Sequence, residues 1–149
     1  MKNLFTLLVL VLTVVATTQA QTEKTLTKSV DLAATHTTYV MLPGDVAVNE
    51  WDEDYLRVTT TVNVVNMNDN IVKRLVMVGR YTIETKSDKY GKMMILRMPN
   101  VKNFVTVRGV DLKENYSFEI DAPKGYKVIV KEDLNPNAEK NNASLRETL

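Results

Sequence analysis

The feature that most restricts this chain's fold is an alternation of apolar and polar side chains with a period of two, recurring from Val46 to Val130. Successive side chains of a strand point to opposite faces, so this period gathers the apolar groups on one face and leaves the other to water. Leu56, Val58, Thr60, Val62 and Val64 share one face of a long strand, and Arg57, Thr59, Thr61 and Asn63 the other. Tyr81, Ile83 and Thr85 alternate with Thr82, Glu84 and Lys86, and further strands carry Met94–Leu96–Met98, Val105–Val107, Tyr116–Phe118–Ile120 and Tyr126–Val128–Val130. Turn chemistry separates them at Asp52-Glu53-Asp54, Ser87 to Gly91, Gly109 to Glu114 and Pro123-Lys124-Gly125. A weaker strand pair, near Leu26 to Val30 and Tyr39 to Leu42, opens the domain. The pattern predicts a mainly β fold: a single antiparallel-rich sandwich, or a short solenoid-like stack of hairpins, with one short helix.

The helix is expected where the period changes. Asn68 or Asp69 can cap its start, Ile71, Val72, Leu75 and Val76 recur at helical spacing, and Gly79 stands where a C′ glycine belongs. Hairpin-like units begin near Val46, Tyr81 and Val105, intervals too unequal for a propeller or long solenoid.

Residues 1–20 read as a secretory signal. Lys2 supplies the positive end, Leu4 to Val15 are apolar apart from two threonines, and Thr18-Gln19-Ala20 offers small residues for cleavage before Gln21. A spanning helix needs about 20 predominantly apolar residues, more than this stretch holds. The expected organisation is a signal peptide at 1–20, a β domain at 21–132 and a polar, flexible tail at 133–149. The expected location is periplasmic or extracellular, with no membrane span after cleavage.

Composition removes several chemistries. The chain has no cysteine, which excludes thiolate metal sites, disulfides and cysteine nucleophiles, and its one histidine, His36, cannot build a histidine cluster. No G-x-S-x-G, P-loop or dinucleotide-binding glycine motif occurs, so no cofactor is expected. Glu50, Asp52, Glu53 and Asp54 form the densest acidic group, but lack the spacing and glycine of a calcium loop and read as a solvated turn. No catalytic constellation emerges.

Charge distribution says more than its total. The net formal charge is +1, which gives no hint of a nucleic-acid partner. Yet residues 73–108 hold nine cations against two carboxylates, while residues 45–54 hold five carboxylates and no cation. Alternation places Arg80, Lys86, Arg97 and Arg108 on the wet side of their strands. With Trp51, they form the candidate binding surface, suited to an anionic envelope partner, another macromolecule or the acidic turn of a second copy.

Val46-Ala47-Val48 entering Trp51-Asp52-Glu53-Asp54 and returning through Leu56-Arg57-Val58 resembles a strand–W-D-x-D–strand hairpin of the adhesin-like domains of bacterial envelope proteins. Gly79-Arg80-Tyr81-Thr82-Ile83-Glu84, Tyr116-Ser117-Phe118-Glu119-Ile120 and Ala122-Pro123-Lys124-Gly125 are similar to the same family. The resemblance implies a mostly β fold with stacked hairpins and carries over no catalytic residue. The expectation is an exported, non-enzymatic binding or adhesin-like module. The alternatives are a carboxylate-based hydrolase using Asp52 or Asp54 and a structural or assembly subunit of the envelope.

Overall fold

The computed structural model describes residues 21–131; the expected signal peptide and tail lie outside the described residues. The domain is mainly β. Ten strands run in chain order: β1 (Gln21–Val30), β2 (Thr37–Met41), β3 (Asp45–Trp51), β4 (Leu56–Val65), β5 (Glu84–Ser87), β6 (Met93–Arg97), β7 (Thr106–Val107), β8 (Val110–Asp111), β9 (Lys113–Pro123) and β10 (Lys127–Val130). Helix α1 (Asp69–Met77) follows β4, and a 3₁₀ turn, Pro99–Lys102, follows β6.

Two four-stranded sheets share one apolar interior, and β7 and β8 form a separate small hairpin. Sheet A has the order β1-β4-β9-β3 and sheet B the order β10-β2-β6-β5. Pairing is mixed: β1–β4, β4–β9, β5–β6 and β7–β8 are antiparallel, whereas β3–β9, β10–β2 and β2–β6 are parallel. The alternation of β4 is realised without a break, since Leu56, Val58, Thr60, Val62 and Val64 are all buried. Phe118, Ile120 and Ala122 of β9 face the same interior, which Val40, Met94 and Leu96 close from sheet B.

The expected hairpin at Trp51 does not form. β9 lies between β3 and β4, so the two segments flanking the acidic turn are next-but-one neighbours. Residues 52–55 must therefore cross roughly 10 Å, two strand spacings, which four residues can span. Trp51 holds that crossing in place. Its indole N–H donates to the Tyr55 carbonyl at 3.0 Å, its ring meets Tyr55 edge-on at 4.7 Å between centroids, and the Arg57 guanidinium lies 4.6 Å from its centroid. Below them Arg57 Nε donates to Asp121 Oδ2 at 2.8 Å, and Asn49 Nδ2 reaches Glu119 Oε1 at 2.7 Å, so polar contacts link all three strands. The opening strands also differ from expectation: β1 and β2 belong to different sheets and do not pair. Alternation specifies which face a side chain takes, not which strand sits beside it.

The helix begins and ends as its sequence dictates. The Asn68 side chain accepts from the Ile71 amide at 3.0 Å, and Gly79 follows the C-cap with φ +77. Val72 is buried, while Ile71, Leu75 and Val76 pack against the core. Thr22 Oγ1 donates to the Met67 carbonyl at 2.7 Å and Lys24 pairs with Asp69 at 2.5 Å, fixing the helix entry beside β1.

Gly44 permits the close approach of β3 to β9. Its φ is +131, and a Cβ there would lie 2.3 Å from the Tyr116 carbonyl oxygen. Gly44→Ala is expected to lower stability by at least about 2 kcal/mol, through both backbone strain and this clash with main chain. Urea unfolding of the two proteins checks it; an unchanged midpoint would mean that β3 is not seated as described.

Candidate interaction surface

The five residues of the expected binding surface, four cations grouped by alternation and Trp51, occupy different places. Trp51 ends β3 on the outer face of sheet A. Lys86 and Arg97 stand on the outer face of sheet B, and Arg108 occupies the β7–β8 turn at φ +52. Arg80 is not on the wet side: it is only 7% exposed. The reason is local. The strand begins at Glu84, so residues 80–83 follow the exit turn of α1 rather than a two-residue period, and Arg80 and Tyr81, although consecutive, are both buried.

A buried guanidinium requires a counter-charge and partners for its N–H groups. Arg80 finds both. Its Nε donates to Glu114 Oε1 at 2.9 Å and its Nη2 to Oε2 at 2.7 Å, a two-pronged pair with a carboxylate that is itself buried. Nη1 donates to the carbonyls of Asn100 at 3.3 Å and Asn103 at 3.1 Å, and Nη2 lies 3.5 Å from the Val101 carbonyl. Asn100 Nδ2 donates in turn to the Gly79 carbonyl at 2.9 Å. The hydroxyls of Tyr81 and Tyr116 donate to the Glu114 carboxylate at 2.5 and 2.7 Å. Burial, and then the Glu114 hydrogen bond and charge, hold the Tyr81 phenol well above the ordinary tyrosine range. Burial and then the charge of Glu114 do the same for Tyr116. For Arg80, burial opposes the charged form, but the bond to Glu114 and its charge outweigh that and raise the pKa. With its donors and acceptors turned on one another, the cluster joins the exit of α1, the 3₁₀ turn and β9.

The outer face of sheet B brings together residues from four separate stretches of chain. Thr38, Val40, Met94 and Leu96 turn inward, so Thr37, Tyr39, Met41, Met93, Ile95 and Arg97 turn outward. Strand register aligns Ile129, Tyr39, Ile95 and Lys86 in one row across the sheet. Lys127, Thr37 and Met93 form a second row, and Met41, Arg97 and Glu84 a third. Tyr39, Met41, Ile95 and Ile129 are half-exposed, and Met93 is 40% exposed. Cations frame this apolar strip at both edges. Lys127 projects from β10, and Lys131, just beyond it, sets its Nζ 4.8 Å from the Tyr39 ring centroid. Lys86 stands on β5, while Arg97 donates to Glu84 at 3.2 Å. The Asp88 carboxylate accepts from the Met93 and Lys92 amides, which holds its pKa below the ordinary aspartate value against a small opposing effect of burial. Charge counting along the sequence missed Lys127, Ile129 and Lys131. Their place opposite Val128 and Val130 in the alternation was the available signal.

The remaining candidates are exposed. His36 lies in the loop before β2, and its amide donates to the Lys92 carbonyl. On the acidic turn, Glu50 accepts from the Gly125 amide at 3.3 Å and Asp52, 85% exposed, pairs with Lys124 at 2.7 Å. Among the described residues, no group of acidic or histidine side chains is arranged to hold a metal ion, and no helix is long and apolar enough to cross a membrane.

The chain matches no protein-family model and no curated protein. Among solved structures it is similar to a protein named a "putative cell adhesion protein" from Clostridium sporogenes, at 13% identity and a TM-score of 0.41. The match covers 74% of this chain and 47% of the other, so the chain spans about half that protein's length.

Two outcomes follow from the buried cluster. Glu114→Gln leaves Arg80 buried without its counter-charge and is expected to cost about 3–5 kcal/mol, measured by urea unfolding. The raised phenol pKa values stabilise the fold only while the unfolded chain keeps its tyrosines protonated. Stability is therefore expected to fall as pH climbs above about 10, where unfolded tyrosine ionises and the buried pair does not. Urea midpoints measured across that range, with Tyr116→Phe showing the shallower decline, check the assignment.

Proposed function

We propose that the protein is an exported, non-enzymatic β domain that binds an anionic macromolecule of the cell envelope through the outer face of sheet B. The observation that carries this reading is the apolar row Ile129–Tyr39–Ile95, closed at one end by Lys86 and flanked by Lys127 and Lys131. Aromatic and aliphatic side chains supply contact area, and cations at the margin supply attraction and orientation toward a negatively charged partner. The carboxylates that a hydrolase would use, Asp52 and Asp54, stand exposed on a turn, which favours the binding reading. Export rests on the sequence of residues 1–20.

Retention on an immobilised anionic polysaccharide, eluted with a salt gradient, tests the proposal. Lys86→Glu combined with Lys127→Glu is expected to weaken binding about tenfold and to flatten its salt dependence. Tyr39→Ala is expected to weaken binding while leaving the salt dependence in place. Binding by the double charge reversal equal to that of the parent protein would overturn the assignment. Stable co-purification with an acidic envelope protein, and none with polysaccharide, would instead favour an assembly subunit using the same face.

A further inference from the structure

A second surface lies at the joint between α1 and the 3₁₀ turn. Met77 is 84% exposed, Val78 77% and Phe104 72%, the three most exposed large apolar side chains of the described residues apart from Tyr90. They come from segments far apart in sequence, which the buried cluster ties to each other. Val78 precedes Gly79, whose carbonyl accepts from Asn100, and Phe104 follows Asn103, whose carbonyl accepts from Arg80. Isolated exposed apolar residues need no explanation, but several on segments held together mark a candidate site of contact.

Two observations identify what this end meets. The first is charge. The two segments that meet here, residues 70–83 and 99–110, carry Arg74, Lys102 and Arg108 besides the buried Arg80, and Lys73, which pairs with Asp69 at 2.8 Å; Asp69, Glu84 and Asp111 flank them, so cations remain in excess. Lys73 and Arg74 lie one helical turn before Met77 and Val78, on the same side of α1. The second is the state of the backbone. The amides of Val78, Gly79 and Arg80 donate to the carbonyls of Arg74, Val76 and Leu75. The carbonyls of Gly79, Asn100 and Asn103 accept from Asn100 and Arg80 side chains. Loop backbone enters a medium poor in water only when its polar groups are already paired. Exposed apolar side chains beside turns whose neighbouring backbone groups are paired, with cations on the same segments, fit the headgroup layer of an anionic bilayer.

We propose that Met77, Val78 and Phe104 insert into the interface of an anionic lipid membrane, with Arg74 and Arg108 reaching its phosphates. The side-chain stems of these arginines lie along the apolar surface while their heads remain in the headgroup region. This contact is independent of the sheet B face.

Flotation of the full mature chain with vesicles of phosphatidylcholine alone, and of phosphatidylcholine mixed with phosphatidylglycerol, tests the proposal. Binding is expected only to the mixed vesicles, weakened about tenfold by Phe104→Ser with Val78→Ser and similarly by Arg74→Glu with Arg108→Glu. The Lys86→Glu, Lys127→Glu protein is expected to bind these vesicles as the parent does, which separates this surface from the polysaccharide reading. Phe104→Trp supplies a readout in a conservatively altered chain: its emission should shift to the blue on adding mixed vesicles and be quenched by brominated lipid. Absence of binding to the mixed vesicles, binding that the serine variants leave intact, or an unshifted Phe104→Trp emission would each overturn the proposal.

Discussion

The Arg80–Glu114 pair is the constraint around which one end of this domain is organised. A guanidinium withdrawn from water must bring its hydrogen-bond partners with it. Here those partners are a carboxylate on β9 and the carbonyls of a 3₁₀ turn. Two tyrosine hydroxyls complete the carboxylate's environment, and Asn100 returns a hydrogen bond to the glycine after α1. Apolar contacts alone would set the distance between these segments with little directional preference. The two-pronged ion pair fixes their orientation as well, and it ties the segment that ends in Met77 and Val78 to the one that leads into Phe104.

β9 has an equivalent part in sheet A. Its interior-facing Phe118, Ile120 and Ala122 join the core, while Glu119 and Asp121 take hydrogen bonds from Asn49 on β3, and Asp121 from Arg57 on β4. One strand thus serves as the neighbour of two others that are close in sequence but not adjacent in the sheet. Trp51, edge-on to Tyr55 and covered by the Arg57 guanidinium, secures the short crossing between them. Its indole is occupied within the fold, on a different sheet from Lys86 and Arg97.

Local chemistry was legible in the sequence, and long-range pairing was not. Asn68 and Gly79 mark the ends of α1 because capping acts within a few residues. The alternation of Leu56 to Val64 names the buried face of β4 for the same reason. Periodicity is silent on neighbours, so Val46 to Val58 read as a hairpin although β9 separates its arms. It also fails where regular strand stops: Arg80 follows a helix exit, and two successive side chains there turn inward. The sheet B face was hidden differently. Its rows draw Tyr39, Ile95, Lys86 and Ile129 from four places along the chain, and only strand pairing in a defined register, two pairs parallel and one antiparallel, unites them.

The insertion of β9 between β3 and β4 also bears on the order in which the molecule can be completed. A chain emerging amino end first presents β1 and β4, which can zip together at once, but β3 has no partner until residues 113–123 arrive. β2 is in the same position with respect to β6 and β10. Such distant pairings close large loops before they return any contact energy, a topology associated with slow folding. The unfinished domain therefore carries open strand edges for most of its emergence, a period in which a holding chaperone would find ready substrate.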